Sequence, residues 1–173
     1  MRIDVVPVGS VETDLLEESR DVLEHIYGTD VVLRSSVSIP PDAYDERHEQ
    51  YHAEDFIDIA TSAGNGDKNI ALTPVDIYYR RRNYVFGLAY LDGKGCVVST
   101  NRLRMTADGG ELEKPKQTGI VEDRVRTEVV HEIGHTLGLQ HCDDETCVMS
   151  FSPTVREVDS KFERPCPTCD AKL

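Results

Sequence analysis

The 173 residues of the chain, 39% of them hydrophobic, are enough for one domain with its own core, and no run of about 18 apolar residues marks a membrane span. A net charge of -13, from 32 acidic and 19 basic residues, excludes a surface that attracts nucleic acid or anionic membranes. Residues 1–10 show neither the apolar segment nor the cleavage site of a secretory signal, so we expect a cytoplasmic protein. We also expect a monomer. Because dense carboxylates keep a protein hydrated in concentrated salt, the charge also favours a high-salt interior over an ordinary acidic surface.

Hydrophobic periodicity predicts strands and helices that alternate through residue 103. In chain order we expect a strand at 2–8, a helix at 11–27, a strand at 29–38 and a short helix at 53–63. These are followed by strands at 69–79, 84–91 and 96–103, a polar loop at 106–117 and a long helix at 120–137. The turn Asp92-Gly93-Lys94-Gly95 is typical of a β-hairpin. This order predicts one α/β domain, with a mixed, twisted sheet that carries an antiparallel edge strand.

The segment HEIGHTLGLQH, residues 131–141, has the spacing of a metal site. On a helix, residues four apart share a face and lie about 6 Å apart along the axis, so His131 and His135 can hold one zinc. We expect Gly138 to end the helix, where a larger side chain would crowd the metal, and His141 to arrive as the third ligand. Three ligands leave a position for water, and Glu132 can take its proton. The alternative is a helix with chance histidines.

The opposite face of the same helix is apolar. It carries an aliphatic residue at every fourth position, namely Val121, Val125, Val129, Ile133 and Leu137. We therefore expect one face of this helix to anchor it in the core while the other presents the metal.

Four of the five cysteines lie in the last 32 residues, which show little hydrophobic periodicity. Their spacing, Cys142-x4-Cys147 and Cys166-x2-Cys169, is typical of a closed thiolate cage around a structural zinc. Disulfides or free thiols are the alternative, although the missing secretory signal argues against disulfides. We expect a single domain, 1–173, in which this zinc staples a C-terminal part, 139–173, onto residues 1–138. The fifth cysteine, Cys96, is predicted to be a buried core residue.

The pattern HEIGHTLGLQHC, followed by Cys147, Met149 and CPTC at 166–169, resembles the metzincin metalloproteases and, more closely, the archaemetzincin family. The resemblance implies a catalytic zinc on the three histidines, Glu132 as general base and acid, and a second zinc on the four cysteines. It also implies that Met149 is the Met-turn residue beneath the site, and that an edge strand with Gly87, Leu88 and Ala89 binds the substrate main chain. Unlike better-known metzincins, the chain has Ser150 and Phe151 after this methionine in place of a nearby tyrosine.

The function favoured by these features is a zinc metallopeptidase that hydrolyses a peptide or protein substrate with a zinc-activated water. Two alternatives use the same residues: a zinc-bound interaction protein with little turnover, and a zinc amidohydrolase for a small amide. The run Arg80-Arg81-Arg82 is short and stands in an acidic chain, so we interpret it as a solvated strand end and not as a nucleic-acid site.

Overall fold

The computed structural model describes the backbone of residues 1–173 and the side chains of residues 1–113 and 119–173. Its strands are β1 (Arg2–Pro7), β2 (Asp30–Leu33), β3 (Tyr44–Asp45), β4 (Gln50–His52), β5 (Lys68–Thr73), β6 (Ile77–Tyr78), β7 (Gly87–Ala89) and β8 (Gly95–Ser99). Its helices are α1 (Thr13–Tyr27), α2 (Ala53–Ala63), α3 (Lys114–Thr136), α4 (Val155–Ser160) and α5 (Pro167–Asp170), with 3-10 turns at Pro41–Ala43 and Arg102–Arg104. Among the residues that the structure describes, no helix is long and apolar enough to cross a membrane.

The main sheet has five strands in the order β2-β1-β5-β8-β7. All neighbours are parallel except β7, which runs antiparallel to β8 and lies at the edge. The predicted α/β class, the mixed sheet and the antiparallel edge strand are therefore confirmed. A second, small sheet has the order β3-β4-β6.

Side chains alternate between two core layers along each central strand. In β8, Cys96 and Val98 face the layer that contains α1 and α3, whereas Val97 faces the layer that contains α2. The fully buried Cys96 is thus the core residue that the sequence predicted. Since α3 lies along the sheet beside β7 and β8, one of its faces is fixed in the core while the other opens at the sheet edge.

The strands are shorter than hydrophobicity predicts, because turn hydrogen bonds end them early. The third predicted strand stops at Thr73, before Pro74, and resumes only as β6. Strand β8 stops at Ser99, whose hydroxyl donates to the Val75 carbonyl and accepts from the Asn101 N–H, and a 3-10 turn follows. In contrast, α2 matches its predicted range of 53–63.

The predicted start of the long helix at Ile120 is six residues late, since α3 begins at Lys114. Just before the predicted start, Gly119 has a φ of +88° inside the helix. Its N–H donates to the carboxylate of Glu122, a bond typical of a helix start. The regular apolar face thus begins where the prediction placed it.

Candidate metal centre and cleft

Two imidazoles on α3 are held in the orientation that a metal requires. His131 Nδ1 lies 2.7 Å from the Val148 carbonyl oxygen, and His135 Nδ1 lies 2.7 Å from that of Leu139. A carbonyl only accepts, so each Nδ1 carries the proton and each Nε2 keeps a free lone pair. The two Nε2 atoms are 3.0 Å apart. Together with a ring nitrogen of His141, the ligand atoms lie within 4.8 Å of one another.

The turn after α3 brings His141 back to the other two histidines. Gly138 has a φ of +91°, its N–H donates to the His135 carbonyl at 3.0 Å, and the Leu139 N–H donates to the Gly134 carbonyl at 3.0 Å. This pair of bonds is a Schellman motif, which requires a left-handed residue such as glycine. The predicted role of glycine in ending the helix is confirmed.

The steric reason for Gly138 differs from the prediction. A Cβ at this position would lie 2.7 Å from Asp92 Oδ1, and its three nearest atoms all belong to that carboxylate. The nearest atoms to such a side chain are therefore those of Asp92, and not those of the histidines. Asp92 belongs to the β7–β8 hairpin turn and donates its N–H to the His135 carbonyl. The glycine thus lets the hairpin dock against the end of the helix.

All three imidazoles are kept neutral by their surroundings. Burial lowers the pKa of His131 well below its usual value and also lowers the pKa of His135. Burial lowers the pKa of His141 to about 4. Only the neutral ring offers a lone pair to a metal, so the site favours the ligand form of each residue.

One oxygen of the buried Glu132 carboxylate is unpartnered in the described part of the chain. It is 4% exposed, and its Oε2 has no hydrogen-bond partner among the residues described. Burial raises its pKa well above the usual range, and nearby Glu128 adds to the effect. A Cβ on Gly87 would lie only 2.5 Å from Glu132 Oε1, so a glycine on β7 is needed for this carboxylate to fit. An orphaned carboxylate beside three neutral imidazoles fits a site built for a cation and a water molecule.

Met149 is fully buried and lies against α3. A Cβ on Gly134 would come within 2.5 Å of the Met149 Sδ. The glycine inside the helix therefore makes room for the thioether. Sequence analysis missed this role, although a glycine between two histidines of a helix is a detectable signal, since it costs about 1 kcal/mol relative to Ala.

The four C-terminal cysteines converge at a second point. Their Sγ atoms all lie within 4.8 Å of one another, and Cys142 Sγ is 3.8 Å from Cys166 Sγ. A tetrahedron with zinc–sulfur bonds of about 2.3 Å has edges of about 3.8 Å, so this separation fits zinc. It is far beyond a disulfide bond of about 2 Å. The alternative of disulfides is thereby excluded for the described geometry, in which all five cysteines are free.

The two clusters share one short stretch of chain. Val148 accepts from His131, while its own N–H donates to the Arg164 carbonyl at 3.3 Å. The next residue, Met149, accepts from the Cys142 N–H at 3.0 Å. Displacing the cysteine segment would therefore move the carbonyl that orients His131.

A buried ion pair behind the histidines was not foreseen. The side chains of Lys161 and Glu128 are 0% and 4% exposed, and Lys161 Nζ lies 3.9 Å from Glu128 Oε1. The same Nζ donates to the Val148 carbonyl at 3.3 Å. Burial lowers the pKa of Lys161 and raises that of Glu128. Glu128 lies four residues before Glu132 on one helix face, which the sequence does show; Lys161 comes from a distant loop and gives no local signal.

A cleft of about 520 Å³ opens over the histidines, between the 79–89 segment and residues 151–153. The main chain of β7 forms one wall. The Ser99 N–H donates to the Phe86 carbonyl, so these two residues form a hydrogen-bonded pair. In an antiparallel ladder every second residue of a strand bonds to its neighbour, so the next residue of β7 that bonds to β8 is Leu88. The N–H groups of Gly87 and Ala89 then point to the open edge. The side chain of Leu88 packs in the α2 layer.

Comparison with known proteins gives consistent matches over the chain. The sequence pattern of Peptidase family M54 matches residues 43–173. The archaemetzincin of Halobacterium salinarum is 56% identical over 169 residues, which cover 98% of this chain and 97% of the relative. That of Natronomonas pharaonis is 54% identical over 173 residues, 100% of this chain and 99% of the relative. The crystal structure of archaemetzincin from Archaeoglobus fulgidus complexed with malonate aligns with a TM-score of 0.84 and 33% identity, covering 100% of both chains.

The buried ion pair predicts strongly coupled effects on stability. Lys161→Met leaves the Glu128 carboxylate without its counter-charge, and we expect the free energy of unfolding to fall by about 3–5 kcal/mol. Glu128→Gln leaves the Lys161 ammonium buried without its counter-charge, and the free energy of unfolding should fall by a similar amount. The double variant buries neither charge, so its loss should be smaller than the sum of the single losses. Denaturant titration of the four proteins measures this coupling, and strictly additive losses would show that the two charges do not interact.

Proposed function

Because the chain belongs to Peptidase family M54, the archaemetzincins, it is a zinc metallopeptidase, and we propose that Glu132 is its general base and acid. One observation carries this assignment: the Oε2 of Glu132 is buried and unpartnered among the described residues, and Glu132 lines the same cleft as three converging imidazoles. A carboxylate in this position has a free oxygen for a proton and a raised pKa that lets it hold one.

We assign the catalytic zinc to His131, His135 and His141. The Nδ1–carbonyl bonds and the neutral rings support this ligand set. Zinc held by these three residues would supply a Lewis acid for the scissile carbonyl and for a water molecule. Glu132 would accept a proton from the attacking water on its carboxylate and deliver it to the leaving amine. Met149 supports the site from below by packing on Gly134.

A second, structural zinc on Cys142, Cys147, Cys166 and Cys169 would complete a set of two ions per chain. Four thiolates leave no position for water, so this ion has no catalytic part. It would close residues 139–173 onto residues 1–138 as two parts of one domain. The bonds through Val148 and Met149 support a role for this closure in placing His131.

The substrate main chain would pair with the open edge of β7. Gly87 and Ala89 offer the outward N–H groups, and an extended peptide can satisfy them in the manner of an added strand. The close packing of Gly87 on Glu132 places this edge beside the proposed base.

Glu132→Gln should reduce peptide turnover by about 10²–10⁴-fold, because the amide cannot accept the proton. Zinc content should not change, since the residue is not assigned as a ligand. A peptide-library digest in molar salt, followed by metal analysis, measures both quantities. Glu24→Gln, on the exposed face of α1, is the matched control and should keep full turnover. Turnover retained in Glu132→Gln would remove this residue from the proposed role.

The two metal sites should empty in order under graded chelation. The histidine site is open to solvent at His141 and has a position free for a competing ligand, so it should lose zinc first and activity with it. The cysteine site should empty only under stronger chelation, with loss of structure after residue 141. Zinc analysis and limited proteolysis along the titration test this. Simultaneous loss of both ions would contradict the proposed division of roles.

Proline substitutions should separate the two sides of β7. Ala89→Pro removes an outward donor, so peptide binding and turnover should fall while the melting temperature changes little. Leu88→Pro removes a bond to β8 and should destabilise the sheet itself. Thermal melts and peptide binding to both variants give the comparison. Normal peptide binding by a folded Ala89→Pro protein would place the substrate away from this edge.

Two of the relatives come from halophilic archaea, Halobacterium and Natronomonas, and we propose that this chain also works in concentrated salt. Salt screens the mutual repulsion behind the net charge of -13, since the screening length falls from about 10 Å at 0.1 M to about 3 Å at 1 M. The melting temperature should therefore rise with KCl into the molar range. A flat profile would contradict this proposal.

A further inference from the structure

The exposed charge of the cleft is opposite in sign to that of the whole molecule. Its two lining carboxylates, Glu128 and Glu132, are 3% and 4% exposed and face inward. The charged side chains that line it and reach solvent are those of Arg81 and Arg82. A chain of net charge -13 thus presents cations at the mouth of its cleft.

Arg81 and Arg82 have no carboxylate within 4.0 Å over the side chains that are described, a property that they share with Arg47, Arg80 and Arg164. Eight of the 13 arginines lie within 4.0 Å of a carboxylate in the structure, namely Arg2, Arg20, Arg34, Arg102, Arg104, Arg124, Arg126 and Arg156. With 32 acidic residues available, two neighbouring arginines left unpaired at a cleft are open to an external anion.

Arg82 is held in place by a ring contact and a backbone hydrogen bond, and neither uses the N–H groups of its side chain. Its Cζ lies 4.7 Å from the ring centre of Phe151, which forms the opposite side of the cleft. Its backbone N–H donates to the Tyr79 carbonyl at 3.1 Å, which fixes the turn. A guanidinium that contacts an aromatic face keeps the N–H groups of its planar fork, and these match a carboxylate in bidentate geometry.

The distance from Arg82 to the metal site suits a side chain near the scissile bond. The Phe151 ring centre lies 5.4 Å from that of His141, so Arg82 Cζ is within about 10 Å of the His141 ring. An extended peptide advances about 3.4 Å per residue. A substrate bound at the histidines therefore passes Arg82 within roughly three residues of the bond that is cut.

We propose that Arg81 and Arg82 are specificity-determining residues that select peptides carrying a carboxylate within about three residues of the scissile bond. The inference rests on the proposed peptidase function and names its substrate class. The carboxylate is either an Asp or Glu side chain or the free C-terminus of a short peptide, because both offer the same two oxygens.

The test uses the zinc-loaded protein and alanine-rich fluorogenic peptides in which one Asp is moved from position to position. Arg81→Gln, Arg82→Gln and the double variant remove the cleft cations. Arg80→Gln is the matched control, because it removes the same charge from the same exposed run but from a residue that does not line the cleft. Each peptide is also made with an amidated C-terminus, so that a gain from a terminal carboxylate is told apart from a gain from Asp. Thermal melts and zinc analysis check that all variants fold.

The unmodified protein and Arg80→Gln should cleave a peptide with a carboxylate near the scissile bond about three- to tenfold more efficiently, in kcat/KM, than its neutral counterpart, in which Asn replaces Asp or an amide replaces the terminal carboxylate. The double variant should lose this preference. The inference is overturned if neither the Asp–Asn pair nor the free–amidated pair shows a difference, if the preference survives in the double variant, or if it falls equally in Arg80→Gln.

Binding separates this inference from the peptidase function itself. Anisotropy of a labelled acidic peptide on Glu132→Gln protein, with and without the arginine substitutions, reports selection in the absence of turnover. Weaker binding after Arg81→Gln and Arg82→Gln supports the inference even if no peptide is cleaved. Unchanged binding contradicts it even if cleavage is efficient.

Discussion

The carbonyl oxygen of Val148 is the contact on which the rest of the metal centre depends. It accepts from His131 Nδ1 at 2.7 Å and from Lys161 Nζ at 3.3 Å. The same residue is tied through its N–H to the chain that leads to Cys166. The backbone of one residue therefore fixes the tautomer of a histidine, accepts a hydrogen bond from a buried ammonium and joins the cysteine segment to α3. A metal ligand needs such a partner, because a ring free to rotate or to change tautomer binds more weakly.

Buried charge of both signs surrounds this contact. Glu128 and Glu132 lie on one face of α3, and among the described residues Lys161 is the cation near them. Burying ions is unfavourable unless they are paired, so two carboxylates against one ammonium leave an excess of buried acidic groups. A divalent cation at the histidines would relieve that imbalance. The arrangement thus relates the stability of the core to the occupancy of the site.

Local spacing predicted the parts of the site that lie on one helix or in one turn. The relation of His131 to His135, the stop at Gly138 and the paired cysteines follow from geometry within a few residues, and the archaemetzincin resemblance is confirmed. The same holds for α2. Strand lengths were overestimated, because hydrophobic runs continue where side-chain hydrogen bonds have already turned the chain. Contacts between distant segments, such as that of Lys161 with Glu128, leave no periodic trace in a sequence and could not be predicted.

The open edge of β7 has a consequence for the cell. A strand edge recognises main chain whose own hydrogen bonds are unmade, and in native proteins more than about 90% of buried backbone groups are already paired. If the outward N–H groups of Gly87 and Ala89 bind the substrate as proposed, intact proteins offer them few partners outside exposed loops and strand edges. Extended peptides and unfolded segments offer many. The enzyme would then distinguish unfolded segments and peptides from folded proteins by their free backbone hydrogen-bonding groups. A peptidase of this kind would leave most folded proteins around it uncut.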